Sequence, residues 1–187
     1  MSEVQWMKAV CDRLNEYLKR EYSDRHIEAQ TDRRLAYSFE IESYGGNEEP
    51  RARDPDYYRT DLLIFEINSN KSWIPRVVIE GKLKNLSTHD ALTYSAKAAT
   101  HAQVHPYLRY GILIAELPSV PWRLFRHGSH FDFMITWKGE QANTDEWDGF
   151  QTMISEEIKW SEQLQSLIET RSKSRPRVVR RMLSVQE

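Results

Sequence analysis

Apolar residues at Met7, Val10, Cys11, Leu14, Tyr17 and Leu18 recur every three or four positions, which predicts an amphipathic helix over Glu3 to Tyr22 with a charged outer face. Tyr37, Phe39 and Ile41 then alternate with Ser38, Glu40 and Glu42. That period of two predicts a half-buried strand closed by the turn Gly45-Gly46-Asn47. A polar loop is expected from Asn47 to Arg59. Two near-continuous apolar runs, Leu62-Leu63-Ile64-Phe65 and Val77-Val78-Ile79, predict strands over Thr60 to Ile67 and Arg76 to Lys84. Such runs belong to central strands covered on both faces. Ser87 with Asp90 three residues on reads as a capping box, opening an alanine-rich helix to Val104 that Pro106 ends. Strands over Tyr110 to Ala115 and Phe131 to Trp137, and a long helix over Thr144 to Thr170, complete the pattern. The order helix, three strands, helix, strand predicts an α/β fold in which a central mixed β-sheet is flanked by helices.

Composition adds limits. With 187 residues and 40% hydrophobic content the chain supports one core, so a single domain is expected over 1–170. The net charge of −2 is unevenly spread: residues 171–187 hold six basic side chains and one acid, and form a basic tail on an acidic body. Such a tail suits phosphate contact or simple solvation. Met1-Ser2-Glu3 leads straight into the first helix, and no apolar run approaches the roughly 20 residues that span a bilayer, so a cytoplasmic protein with no membrane partner is expected. Cys11 is the lone cysteine, which excludes an internal disulfide and a cysteine zinc cluster. Any metal must be held by oxygen or imidazole.

The chemistry concentrates in Glu80-Gly81-Lys82. An acid and a lysine two residues apart on a strand point to the same face, and here the strand is otherwise apolar. Burying ionised groups without partners costs several kcal/mol each, so a compensating charge is required, and a bound cation would supply one. Gly81 lets another group approach the opposite face. Asp61 opens the preceding strand, and a hairpin would bring its carboxylate to the same end of the sheet as Glu80. Hard oxygen ligands favour Mg²⁺, with Mn²⁺ as a substitute. Lys82 would orient or deprotonate an attacking water, or offset developing negative charge. The plainer reading is a surface hairpin with an ordinary ion pair.

This set resembles the PD-(D/E)XK nuclease superfamily, the restriction endonuclease-like fold, in its element order from Glu3 to Ala115 and in Asp61 with Glu80-Gly81-Lys82. The resemblance implies an αβββαβ core with a C-terminal helix, and Mg²⁺-dependent hydrolysis of DNA phosphodiesters. It assigns Asp61, Glu80 and Lys82 as catalytic residues and Asp61 and Glu80 as metal ligands, with no small-molecule cofactor. A type II restriction endonuclease or related defence nuclease is the implied function. A homodimer is implied too, because such enzymes use one site per strand and this chain offers one. The literal proline-aspartate pair, Pro55-Asp56, falls in the loop, so Asp56 competes with Asp61. Glu16 and Glu21 are candidates for an upstream acid that some members take from the first helix. A non-catalytic DNA-binding protein of the same fold, and a single-strand, junction or RNA nuclease, are the alternatives.

Further residues are candidates for nucleic-acid contact. Asp90, Thr93, Lys97 and His101 form one stripe of the second helix, where Lys97 would meet a phosphate or solvent. Arg123 to Phe133 mixes cations, histidines and aromatics in what reads as a turn, with Arg126 and His127 as phosphate or base contacts. Arg51, Arg53 and Arg59 precede Asp61 and could grip a backbone. His101 and His105 are expected to cap the helix end or lie on the surface, while Trp147, Phe150 and Trp160 serve either the core or a subunit contact.

Overall fold

In the computed structural model the described residues are 1–170, and the basic tail at 171–187 lies outside them. The first part of the chain forms α1 (Glu3–Glu21), β1 (Ile27–Gln30), β2 (Arg33–Ala36), β3 (Ile41–Tyr44), β4 (Pro50–Ala52) and β5 (Tyr57–Thr60). It continues as β6 (Leu62–Ile67), β7 (Trp73–Leu83), α2 (Thr88–Val104), β8 (Arg109–Ala115), α3 (Trp122–His127), β9 (Phe133–Thr136) and α4 (Thr144–Glu169). Five strands build the central sheet in the order β1-β6-β7-β8-β9. The sheet is mixed: β6 runs antiparallel to β1 and β7, whereas β8 runs parallel to β7 and β9.

Helices cover both faces. On one, Leu62, Ile64, Val77 and Ile79 pack against Met7 and Leu14 of α1 and Phe150 and Ile154 of α4. On the other, Leu63, Phe65 and Val78 meet Ala98 of α2, while Ile112 and Ile114 meet Ala91 and Leu124. Each long helix begins where its sequence supplies a cap: Ser2, Ser87 and Asn143 each close a capping box. No helix among the described residues is long and apolar enough to cross a membrane.

β6 and β7 fix the geometry that matters. Their register pairs Leu62 with Ile79 and Leu63 with Val78, and slips at a bulge between Ile64 and Phe65, whose partners are Val77 and Pro75. Continued past Leu62, the register sets Asp61 opposite Glu80. Gly81 faces α1, and a Cβ there would lie 2.0 Å from Met7 Cε and 3.2 Å from Trp6 Cζ3. A side chain there would have to displace the end of Met7 and press on the Trp6 ring. Gly81→Ala is expected to cost about 1–3 kcal/mol through overpacking, with a good part restored by Met7→Ala, as read by chemical denaturation of the single and double variants.

At the opposite end of the sheet, Arg76 is only 5% exposed and its Nη2 lies 2.5 Å from Glu66 Oε2. Glu66 also takes Arg25 at 2.8 Å, and Arg25 reaches Glu162. Burial alone would raise the Glu66 carboxyl, but the two guanidiniums hold it below its ordinary value. Glu66→Ala leaves the Arg76 charge buried with no carboxylate. It should cost about 3–5 kcal/mol in a denaturation curve, several times more than replacing Arg76 and Glu66 together by apolar residues.

The segment 31–60 departs from the expected pattern. The half-buried strand expected from Tyr37 to the Gly45-Gly46-Asn47 turn is present only in its second half, as β3, and the polar loop expected at Asn47 to Arg59 contains β4 and most of β5. β2 pairs with β5 and β3 with β4, so the chain leaves the sheet as a two-stranded arm and returns at Asp61. All four residues of β3 are exposed, so its alternation of apolar and polar residues records no buried face. β1 alternates Ile27 and Ala29 with Glu28 and Gln30, but only over four residues. The turn expected before the last strand is a short helix, α3, whose N-cap is Pro121 and carries no side-chain cap bond. After Gly128 ends it, β9 begins only at Phe133.

Candidate functional site

Glu80 lies on the face of β7 that meets α2, one residue away in phase from the glycine that admits α1. It is 1% exposed. The Tyr110 hydroxyl donates to its Oε1, and Lys97 Nζ stands 3.6 Å from the same oxygen. Asp61, at the bend between β5 and β6, accepts from the Gly81 amide through Oδ2 at 2.9 Å. Burial first, and the Asp61 charge second, push the Glu80 carboxyl up to about 7, while Lys97 and Tyr110 pull it down. Two carboxylates thus converge from adjacent strands, and the Asp61 charge raises the cost of ionising Glu80.

Lys82 projects from the same face one period on. Its Nζ lies 3.4 Å from Glu3 Oε1 and 4.0 Å from Asp90 Oδ1, and 5.3 Å from the Tyr94 ring centroid. Burial alone would lower the Lys82 ammonium, but Tyr94, Glu3 and Asp90 together hold it above its ordinary value. Lys82 is therefore a cation at neutral pH. Of the three roles read from the sequence, orienting water and offsetting negative charge suit a cation.

The residues expected near this pair divide clearly. Asp56 sits on the exposed arm, where Ser38 Oγ donates to its Oδ2 at 3.4 Å, well away from the Gly81 amide that holds Asp61. Glu21 is exposed and Glu16 lines a groove on α1 with Trp147 and Asp148. The acid that α1 does bring to the site is Glu3, which also accepts from the Leu83 amide at 3.2 Å. Nothing in the sequence marks Glu3, because its position depends on where α1 crosses the end of β7. On α2, Thr93 is exposed and Tyr94 takes its place in the inward stripe with Asp90, Lys97 and His101. Lys97 thus faces Glu80 rather than open solvent.

His101 is fully buried rather than on the surface, and burial holds its imidazole at about 4. Its Nδ1 donates to the Ala36 carbonyl at 3.0 Å, as does His105 Nε2 at 3.2 Å. Its ring lies 5.6 Å from that of Tyr110, so it forms a wall behind the tyrosine that binds Glu80. Arg59 is exposed and paired with Asp32 at 2.6 Å; Arg53 stands 3.7 Å from Glu40. With Arg51 they lie on an arm whose residues 38–56 carry six acids against two arginines, which opposes a grip on phosphate. Arg126 and His127 lie on α3 and line an open cleft with Thr88, Pro121, Trp122 and Arg123. Trp147 and Phe150 are buried in the core, whereas Trp160 is 49% exposed.

Among the described residues no three His, Cys, Asp or Glu side chains cluster as a metal cage. Mg²⁺ does not need one, since it commonly keeps several waters and takes one or two carboxylates. Asp61 and Glu80 are the two carboxylates that would serve as such a pair. The chain matches no protein-family model, and no curated protein is significantly similar to it in sequence.

Proposed function

We propose that this protein is a divalent-metal-dependent endodeoxyribonuclease with a restriction endonuclease-like core, as its resemblance to the PD-(D/E)XK superfamily implies. The observation that carries the reading is the convergence of Asp61 and Glu80 at the buried end of β6 and β7, with the Lys82 ammonium on the same face. Asp61 and Glu80 would hold Mg²⁺ or Mn²⁺. The ion would polarise a phosphoryl oxygen and lower the barrier to attack by water. Lys82, tethered by Glu3, Asp90 and Tyr94, presents positive charge where the phosphate becomes more negative. Gly81 fixes the Asp61 carboxylate through its amide, and Tyr110 fixes that of Glu80. Cutting both strands of a duplex would call for two copies of the chain, and a lone cysteine without a disulfide partner in its own chain fits a reducing cytosol.

One observation favours a second reading. Lys97 and Tyr110 already give Glu80 a cation and a donor, so the buried acid has partners even without a metal. In that case the protein would bind DNA without cutting it. Purified protein with Mg²⁺ should be offered duplex DNA, single-stranded DNA and RNA beside Glu80→Ala and Lys82→Ala. Metal-dependent cleavage of DNA that both substitutions abolish supports the nuclease; cleavage that survives them, or none by the unaltered chain, overturns it.

A further inference from the structure

α3 presents an unusual surface. Trp122 is 83% exposed and Phe125 is 57% exposed, with ring centroids 5.7 Å apart. Scattered apolar residues on a surface need no explanation, but two adjacent aromatic rings left open on a six-residue helix do. The charge on the segment that carries them has one sign. From Leu117 to Phe131 the chain carries Arg123, Arg126, His127 and His130 and no acid. Thr88, Pro121, Trp122, Arg123, Arg126 and His127 line the cleft between α3 and the start of α2, and none of them is acidic.

The surface is also joined to the site. Arg123 Nη1 donates to the Leu86 carbonyl at 2.6 Å, in the loop that leads from Lys82 to α2. Asp90, two residues beyond Thr88, contacts Lys82. The contacts of Arg123 with Leu86 and of Asp90 with Lys82 thus link α3 to the site through the start of α2. Open aromatic faces flanked by arginine are what unpaired bases and their phosphates require. A duplex hides its base faces and gives the rings nothing to stack on.

Resting on the nuclease reading above, we propose that α3 is a stacking platform for single-stranded DNA that extends from the Asp61-Glu80-Lys82 site, with Trp122 and Phe125 taking bases and Arg123 and Arg126 taking phosphates. The platform gives the enzyme a preference for substrates with unpaired strands, such as ends, flaps or melted duplex.

The test measures binding without cleavage, with Ca²⁺ in place of Mg²⁺, by fluorescence anisotropy of a labelled oligothymidylate on the full chain. Trp122→Ala should weaken binding by between about 5- and 100-fold, Phe125→Ala by a smaller factor, and Trp122→Phe by no more than about 2-fold. A closed hairpin duplex should bind all of them alike. Because both rings are exposed, circular dichroism of the variants should be unchanged. Equal affinity of Trp122→Ala and the unaltered chain overturns the proposal. So does tighter binding of the matching RNA, or sedimentation showing that Trp122→Ala dissociates a dimer, which would make α3 a contact between copies. The two readings fail separately. Trp122-dependent binding without cleavage by the unaltered chain sinks the nuclease and keeps the platform, whereas cleavage with Trp122-independent binding does the reverse.

Discussion

Lys82→Ala is expected to slow Mg²⁺-dependent DNA cleavage by about 1000-fold while leaving Mg²⁺ affinity within about 3-fold of the unaltered protein. The two effects separate because Lys82 is tethered to Glu3, Asp90 and Tyr94, whereas the carboxylates that would hold the ion are positioned by Gly81 and Tyr110. Removing the ammonium takes away charge that matters most when the phosphate is most negative, so the loss falls on turnover. Single-turnover cleavage at saturating protein, beside a Mg²⁺ titration followed by thermal shift, reads both quantities. A rate within about 10-fold of the unaltered protein would remove Lys82 from the chemistry.

Glu80→Gln is expected to raise stability in EDTA at pH 8 and to abolish stabilisation by Mg²⁺. The sign follows from the raised carboxyl. Below the ordinary glutamate value of 4.5, folded and unfolded chains both hold the proton, and above about 7 neither does. Between those values the folded state holds more protons, so stability falls as pH rises. Glu80 thus costs the metal-free fold on the order of 3 kcal/mol above pH 7. Glutamine has no such charge and still accepts from the Tyr110 hydroxyl. The gain should appear as a higher Tm that grows from pH 5 to pH 7 and then levels off. Mg²⁺ should raise the Tm of the unaltered chain, since it binds the folded state alone, and leave Glu80→Gln unmoved. Equal Mg²⁺ shifts in both proteins would place the ion elsewhere.

The parts of the fold legible in the sequence are those with long, buried periods. α1, α2 and α4 were marked by apolar spacing and by Ser87 and Asp90, and β6, β7 and β8 by apolar runs. The arm between β1 and β6 was legible only at β3 and its turn, because Ile41 and Tyr44 are exposed and their alternation has no core to answer to. α3 gave no period in its six residues and no side-chain cap. The juxtaposition of Asp61 with Glu80, and of Lys82 on their face, was readable because a hairpin and a period of two place them. Tyr110 and Glu3 were not: one arrives by a parallel crossover, the other from the far end of α1, and no local pattern records either distance. Lys97 was visible as part of a stripe, but its direction was set by Tyr94 rather than Thr93.

The bulge in the β6–β7 pair has a consequence for how the carboxylates are aimed. β7 makes Pro75 and Val77 the partners of adjacent residues on β6, which leaves Arg76 as the additional residue. That single insertion sets the phase of everything after it. Were Arg76 drawn into the ladder opposite Ile64 while the Asn68–Ser72 turn stays in place, the rest of β7 would slip by one residue, turning Glu80 and Lys82 toward α1 and Gly81 toward α2. The chemistry of this end of the sheet therefore depends on one irregular residue near its other end.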